Sequence, residues 1–196
     1  GKPVDFCVPT GNFGDILAGY YAKQMGLPVG RLVCASNKNN VLTDFLRTGT
    51  YDARRTFYKT TSPSMDILIS SNLERLLYHV SGSSEKVAGW MQELSATGKY
   101  TVDAETLAKI QQSFAAGYAD DADGAAEIKA RFDGDHYLCD THTAVAFRVA
   151  ETRRTDAPMV VLSTASPFKF PRDVLTALGG EAPASDFAAM AALTAE

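Results

Sequence analysis

No run of apolar residues in this sequence approaches the roughly 18 needed to cross a bilayer, and no charged segment followed by an apolar core opens it. A membrane partner is therefore not expected. Basic stretches are equally scarce. None is longer than a pair such as Arg153-Arg154, and 19 Lys plus Arg against 23 Asp plus Glu leave a formal charge of -4, which argues against a nucleic-acid partner. Cysteine is sparse as well. Cys7, Cys34 and Cys139 form an odd set, two of them inside strand-like runs where cysteine serves as a small buried hydrophobe, so disulfides are not expected. Internal repeats and low-complexity linkers are also missing. These absences lead to the expectation of a soluble, cytoplasmic protein.

What is present supports a folded domain. With 196 residues at 45% hydrophobic content, the chain buries a sizeable core as one domain, or as one domain with an appended part. Its most informative opening stretch is VPTGNFGD, residues 8–15. The run before it, Val4 to Val8, suits a short buried strand. Behind it Ile16, Leu17, Tyr20, Tyr21 and Met25 recur at helical spacing until Gly26 and Pro28 close the element. The unit is strand, glycine-rich turn, helix. At such a junction the first helical N–H groups lack partners and the positive end of the dipole faces the loop, so an anion fits there. Taken alone, the pattern reads equally well as a tight strand-to-helix turn.

A second strand fits Arg31 to Ser36, and a short helix from Val41 to Leu46 ends near Gly49, so the opening reads βαβα, the signature of a parallel sheet with crossover helices. From Ser64, a helix cap, the residues Met65, Leu68, Ile69, Leu76, Leu77 and Val80 trace one helical face that stops at Gly82. Ser71 and Asn72 fall inside that helix, His79 at its core edge. Further helices fit Glu85 to Ala96 with Trp90 in the core, Ala104 to Phe114 and Gly124 to Phe132, with Asp103 and Asp123 as caps. Residues 64–135 therefore read as a mainly helical excursion. A helix from about Thr141 to Arg153 follows, then a strand over Pro158 to Thr164, a helix from Pro171 to about Leu178 and a last short helix from Ser185. The fold class expected is α/β, a mostly parallel open sheet with flanking helices, in a single domain over residues 1–196. The chain opens on Gly1-Lys2-Pro3, without an initiator methionine, and enters a strand almost at once. Such a start reads as an internal cut.

Two segments lie far apart in sequence yet begin where strands end: GNFGD at 11–15 and STASPFKFP at 163–171. In an open parallel sheet, ligands sit beyond the carboxyl ends of the strands, so the two are candidates for one site. The hydroxyls of Ser163 and Thr164 either face that site or simply cap the chain as it leaves a strand. Elsewhere, His136, Cys139, Asp140 and His142 cluster in HYLCDTH, but their spacing matches no standard zinc set, and Asp140 or Thr141 is a natural helix cap. No metal is expected. Arg54 and Arg55 read as solvated rather than phosphate-binding.

Together, VPTGNFGDILAGYYAKQMG, CASNKNNVLTDFL, SPSMDILISSNLERLL, DTHTAVA and LSTASPFKFP, in this order, closely resemble the threonine synthase family. Its members are pyridoxal-phosphate enzymes of the tryptophan-synthase β fold, fold type II. The likeness runs from about residue 3 to about 180. It implies that pyridoxal 5'-phosphate is the cofactor, with its phosphate held by Gly11, Asn12, Phe13, Gly14 and Asp15. Thr164 matches the family's threonine beside the pyridine nitrogen, a neutral partner that leaves the ring nitrogen without an obligatory proton. The main departure is the family's Schiff-base lysine, which sits in a phenylalanine-lysine-aspartate motif well before the glycine loop. Only Lys2 precedes Gly11 here, and Lys169, between two phenylalanines at a helix entrance, reads as a structural or surface residue. No catalytic lysine is therefore expected within this chain, which the resemblance implies to be the carboxyl-terminal part of a larger two-domain enzyme, its partner being the missing amino-terminal part. The complete enzyme is implied to convert O-phospho-L-homoserine and water into L-threonine and phosphate, by γ-elimination followed by β-addition. Two alternatives remain at this point: another enzyme of the same fold, such as a serine or threonine dehydratase, or a non-catalytic module that binds a phosphate ligand at the same helix terminus.

Overall fold

The computed structural model describes residues 2–195 of the chain. Strand β1 (Val4–Pro9) leads through the glycine loop into helix α1 (Gly14–Gln24), then strand β2 (Val29–Ser36) and helix α2 (Val41–Thr48). Gly49 ends α2 in the left-handed conformation at φ 77°, which costs glycine little and any other residue more. The βαβα opening read from the sequence is thus the observed one. The main sheet has the strand order β5-β2-β1-β6, where β5 is Phe114–Tyr118 and β6 is Met159–Val161, and every pairing in it is parallel.

Alternation along the two central strands sorts the core into two layers. Leu32 and Cys34 of β2 and Val8 of β1 join Phe13, Ile16, Leu17, Val41 and Phe45 on one face. Cys7, Val33 and Ala35 point to the other, against Val145, Ala146 and Val149 of helix α7 (Thr141–Arg153). Both faces are covered, which is why the strands are apolar throughout rather than half polar.

The middle of the chain departs from its sequence reading in three places. The helix expected from Ser64 begins only at Leu73: Pro63–Met65 is one 3-10 turn, the backbone then runs irregularly, and α3 is Leu73–Ser81. Met65 is buried against the α7 side while Ile69 is 55% exposed, so their helical spacing was a coincidence of composition. The helix expected to reach Phe114 stops at Gln111 (α5, Ala104–Gln111), and Phe114–Tyr118 becomes the edge strand of the main sheet. Helix α6 (Asp121–Asp135) starts earlier than expected: Asp120 is its cap, and Asp123 is the third residue of a capping box that satisfies Asp120 in return. Helix α4 (Ser84–Thr97) and the short antiparallel pair β3 (Thr50–Asp52) and β4 (Lys99–Thr101) complete this region, with Tyr51 stacked on Tyr100 at 5.4 Å. Trp90 packs on Tyr100 and is buried, as expected. The chain closes with α8 (Pro171–Ala177) and α9 (Asp186–Thr194). Among the described residues no helix is long and apolar enough to cross a membrane.

Candidate functional site at the carboxyl edge of the sheet

The glycine loop leaves β1 at its carboxyl end. Thr10 is still tied to the sheet, its N–H donating to the Ala35 carbonyl at 2.8 Å, and its hydroxyl turning back onto the Val8 carbonyl at 2.7 Å. Phe13 anchors the far side: its ring is fully buried 5.6 Å from Phe114, and its N–H donates to the Ser71 carbonyl at 2.9 Å. Between these anchors, among the described residues, the amides of Gly11, Asn12 and Gly14 meet no protein acceptor. They stand at the start of α1, where the helix dipole favours negative charge.

Gly11 is required by proximity. A Cβ there would stand 2.7 Å from the Ser64 carbonyl oxygen and 3.0 Å from Met65 Cα, and both are backbone atoms with no freedom to step aside. Gly14 has room, its nearest neighbour at such a Cβ being Asn72 Nδ2 at 3.4 Å. Asp15 is exposed, yet neighbouring protein shields its carboxyl from water and pushes it above its usual range. The unengaged amides of Gly11, Asn12 and Gly14 at a helix start form a cradle suited to a phosphate.

The loop is held by the segment 62–72, and this clamp was not legible in the sequence. Ser70 Oγ donates to the Gly11 carbonyl at 2.7 Å, and Ser71 Oγ donates to Asn12 Oδ1 at 2.9 Å. The segment is fixed in turn from three sides. The Tyr51 hydroxyl donates to the Leu68 carbonyl at 2.9 Å and accepts from Ser70 N–H at 2.8 Å. The carboxylate of Asp66 accepts from Asn37 Nδ2, Asn39 Nδ2 and Thr60 Oγ1 at 2.8, 2.9 and 2.7 Å. Ser64 N–H donates to His142 Nε2 at 3.1 Å. Asn72 takes φ 73° just ahead of α3, so Ser71 and Asn72 belong to this clamp and not to a helix interior.

Thr164 follows β6, and the parallel register decides where. Cys7 pairs with Val161 and the Leu162 N–H reaches the Cys7 carbonyl at 3.0 Å; three residues beyond each partner lie Thr10 and Thr164. Both segments therefore leave the sheet at the same edge. Thr164 is exposed, while the Ser163 hydroxyl accepts from Tyr137 at 3.3 Å. An open cleft of about 460 Å³ lies on that edge too, beyond β2 and β5, bounded by Lys38, Arg55, Tyr58 and Tyr118.

The other sequence candidates have structural duties. Arg54 pairs with Asp52 on the surface, and Arg55 donates to Asn40 and Asp44. Lys169 is exposed in a 3-10 turn, its Nζ 5.5 Å from the Phe170 ring centre. His79 is exposed against Tyr21, ring centres 5.1 Å apart. His136 ends α6 at φ 52°, Cys139 is buried, and Asp140 caps α7. Among the described residues no three His, Cys, Asp or Glu side chains are placed to hold a metal.

An open parallel sheet of this kind, with a glycine loop and a second loop on one carboxyl edge, defines an α/β ligand-binding domain, and its solved neighbours are fold type II pyridoxal-phosphate enzymes. Comparison with known proteins narrows the class. The family model "Threonine synthase, C-terminal" matches residues 143–195. A pyridoxal-phosphate-bound threonine synthase from Brucella melitensis superposes with a TM-score of 0.89 at 45% identity, covering 97% of this chain and 42% of that one. The threonine synthase of Pseudomonas aeruginosa is 42% identical over 186 residues, 93% of this chain and 39% of the relative. Threonine synthase-like 1 from Mus musculus is 43% identical over 182 residues, 91% of this chain and 24% of the relative. Over more than nine tenths of its length the chain is thus similar to threonine synthases, and residues 143–195 match the model of their C-terminal part. It spans between about a quarter and two fifths of the length of these relatives.

Proposed function

We propose that this chain is the part of a cytoplasmic threonine synthase that holds the cofactor phosphate, as one domain over residues 1–196, and that the whole enzyme converts O-phospho-L-homoserine and water into L-threonine and phosphate. The observation that carries the reading is the loop from Gly11 to Gly14, with open amides over a cradle at the start of α1. Gly11, Asn12 and Gly14 donate backbone N–H groups to the phosphate of pyridoxal 5'-phosphate. Phe13 holds the loop through its buried ring, and Asp15 lies in the first turn of α1. Thr164, leaving the sheet on the same edge, offers a neutral hydroxyl to the ring nitrogen. When bound, the cofactor supplies the electron sink that the reaction's carbanions require. The lysine that moves protons is assigned to the part of the enzyme that this chain does not cover, since the chain spans about two fifths of the threonine synthases it matches. Several open amides at one helix start contribute roughly 1–2 kcal/mol from the dipole and a comparable amount from hydrogen bonds, which sets the affinity of this chain alone in the millimolar range.

The test is to mix purified chain with pyridoxal 5'-phosphate, scan the visible spectrum for a covalent band, and assay phosphate release from O-phospho-L-homoserine. Weak, non-covalent binding without turnover is expected. A saturable covalent band lost in Lys169→Ala, with turnover above blank, would overturn the assignment of the lysine to another part of the enzyme.

A further inference from the structure

Asp140 and His142 form a buried pair away from the glycine loop's own residues. His142 is 3% exposed and Asp140 is fully buried, at the start of α7, on the face of the sheet opposite α1. Asp140 is satisfied four ways: it accepts the His142 N–H at 2.7 Å, the Thr143 N–H at 3.3 Å, the Thr143 hydroxyl, and His142 Nδ1–H at 3.0 Å. A carboxylate that already accepts from its neighbours fixes the imidazole proton on Nδ1, which leaves Nε2 with a lone pair. That lone pair takes the Ser64 N–H at 3.1 Å. The Phe170 ring packs against the imidazole, centroids 4.7 Å apart.

The Ser64 amide is an orphan by construction, because it follows Pro63 in the first turn of a 3-10 element where no upstream carbonyl is in reach. The same residue's carbonyl backs onto Gly11, 2.7 Å from a Cβ position there. Its N–H is therefore set by His142 and its C=O sets the wall of the glycine cradle. Helix capping alone accounts for Asp140, since its carboxylate already serves the first turn of α7. It does not account for a buried imidazole whose second nitrogen reaches across to a residue 78 positions away.

We infer that His142, oriented by Asp140, is a positioning residue for the phosphate loop: through Ser64 it holds the cradle at Gly11 in the shape that receives the anion. The inference rests on the functional reading of that loop, and two isosteric replacements separate it from a general role in stability. In His142→Gln the amide oxygen falls near the position of Nε2 and still accepts from Ser64, while the link to Asp140 is lost. In His142→Asn the amide nitrogen falls near Nδ1 and keeps the link to Asp140, while Ser64 loses its acceptor.

The experiment uses the full chain, labelled with nitrogen-15, with inorganic phosphate as the probe. The wild-type ring should show its proton on Nδ1. In His142→Asn the ligand-free amide signals of Gly11 and Asn12 should shift, and the phosphate affinity read from those signals should fall about tenfold, the scale on which one lost buried hydrogen bond moves an equilibrium. His142→Gln should keep both within about twofold of wild type. A folded His142→Asn chain with unchanged Gly11 and Asn12 signals overturns the inference, as does equal phosphate loss in both variants. If wild type itself shows no phosphate response at the loop, the functional reading fails, and the coupling is still decided by the ligand-free signals.

Discussion

The Ser64 carbonyl oxygen lies 2.7 Å from where a Cβ on Gly11 would stand. Nothing about the Gly11 backbone demands glycine, since it is not among the residues with positive φ; the demand comes from the neighbouring peptide. Gly11→Ala must push the loop or the 63–65 turn aside, so phosphate affinity should drop at least about tenfold, with about 1–3 kcal/mol lost in stability. Gly14→Ala, whose new methyl meets only Asn72 Nδ2 at 3.4 Å, should keep affinity within a few-fold. Titration of both variants with inorganic phosphate compares them directly; equal losses would show that the crowding at Gly11 is irrelevant.

Tyr51→Phe tests the clamp from another side. The substitution keeps the ring that stacks 5.4 Å from Tyr100 and removes the hydroxyl that serves Leu68 and Ser70. Burial pushes that hydroxyl up to about 12, despite help from Ser70 and Arg55, so it stays protonated and able to donate at any working pH. The variant leaves the buried Ser70 amide unpaired, which should cost about 1–3 kcal/mol in urea unfolding. A neutral result would mean that water replaces the hydroxyl.

How much of this was legible in the sequence follows from the range of the forces involved. The βαβα opening was readable because Val4 to Val8 and Arg31 to Ser36 are apolar runs closed by glycine and asparagine, and because Gly26 and Gly49 carry the positive φ that follows their helices. Three-residue strands such as Thr50–Asp52 and Lys99–Thr101 left no local pattern, since what defines them is a partner about fifty residues away. Phe114–Tyr118 is small and alanine-rich, and only its pairing with β2 makes it a strand. The glycine loop announced itself by composition. Its clamp did not, because Tyr51 and His142 act through backbone groups that any residue type supplies, and Asp66 acts through side chains as far as 29 positions away.

Acid should expose the duty of Asp140. Burial opposes its charge, but hydrogen bonds from His142 and Thr143 outweigh that and hold the carboxyl below its ordinary 3.8. A group lowered on folding contributes stability that is complete above its unfolded value, near 4, and is lost as pH falls through its folded value. Asp140→Asn keeps a capping oxygen but no charge. It should therefore be less stable than wild type at pH 7, and the gap in urea midpoint should close as the pH falls below about 4. A gap that stays constant with pH would assign the loss to packing instead.

The three cysteines should be silent in the folded chain. Desolvation pushes the thiols of Cys7, Cys34 and Cys139 each up to about 12, and all three are at most 1% exposed. Alkylation at pH 8 should label none of the three within minutes without denaturant and all three in urea. Rapid labelling of any one in buffer would show local opening of its layer.

The central claim is that the open amides at the start of α1 receive the cofactor phosphate. Amide-resolved nuclear magnetic resonance of the chain titrated with pyridoxal 5'-phosphate tests it most directly. Saturating shifts are expected at Gly11, Asn12 and Gly14 in the millimolar range, with Thr164 moving on the same curve. Shifts confined to Lys169 or to the cleft at Lys38 and Arg55, with the glycine loop unmoved, would contradict it.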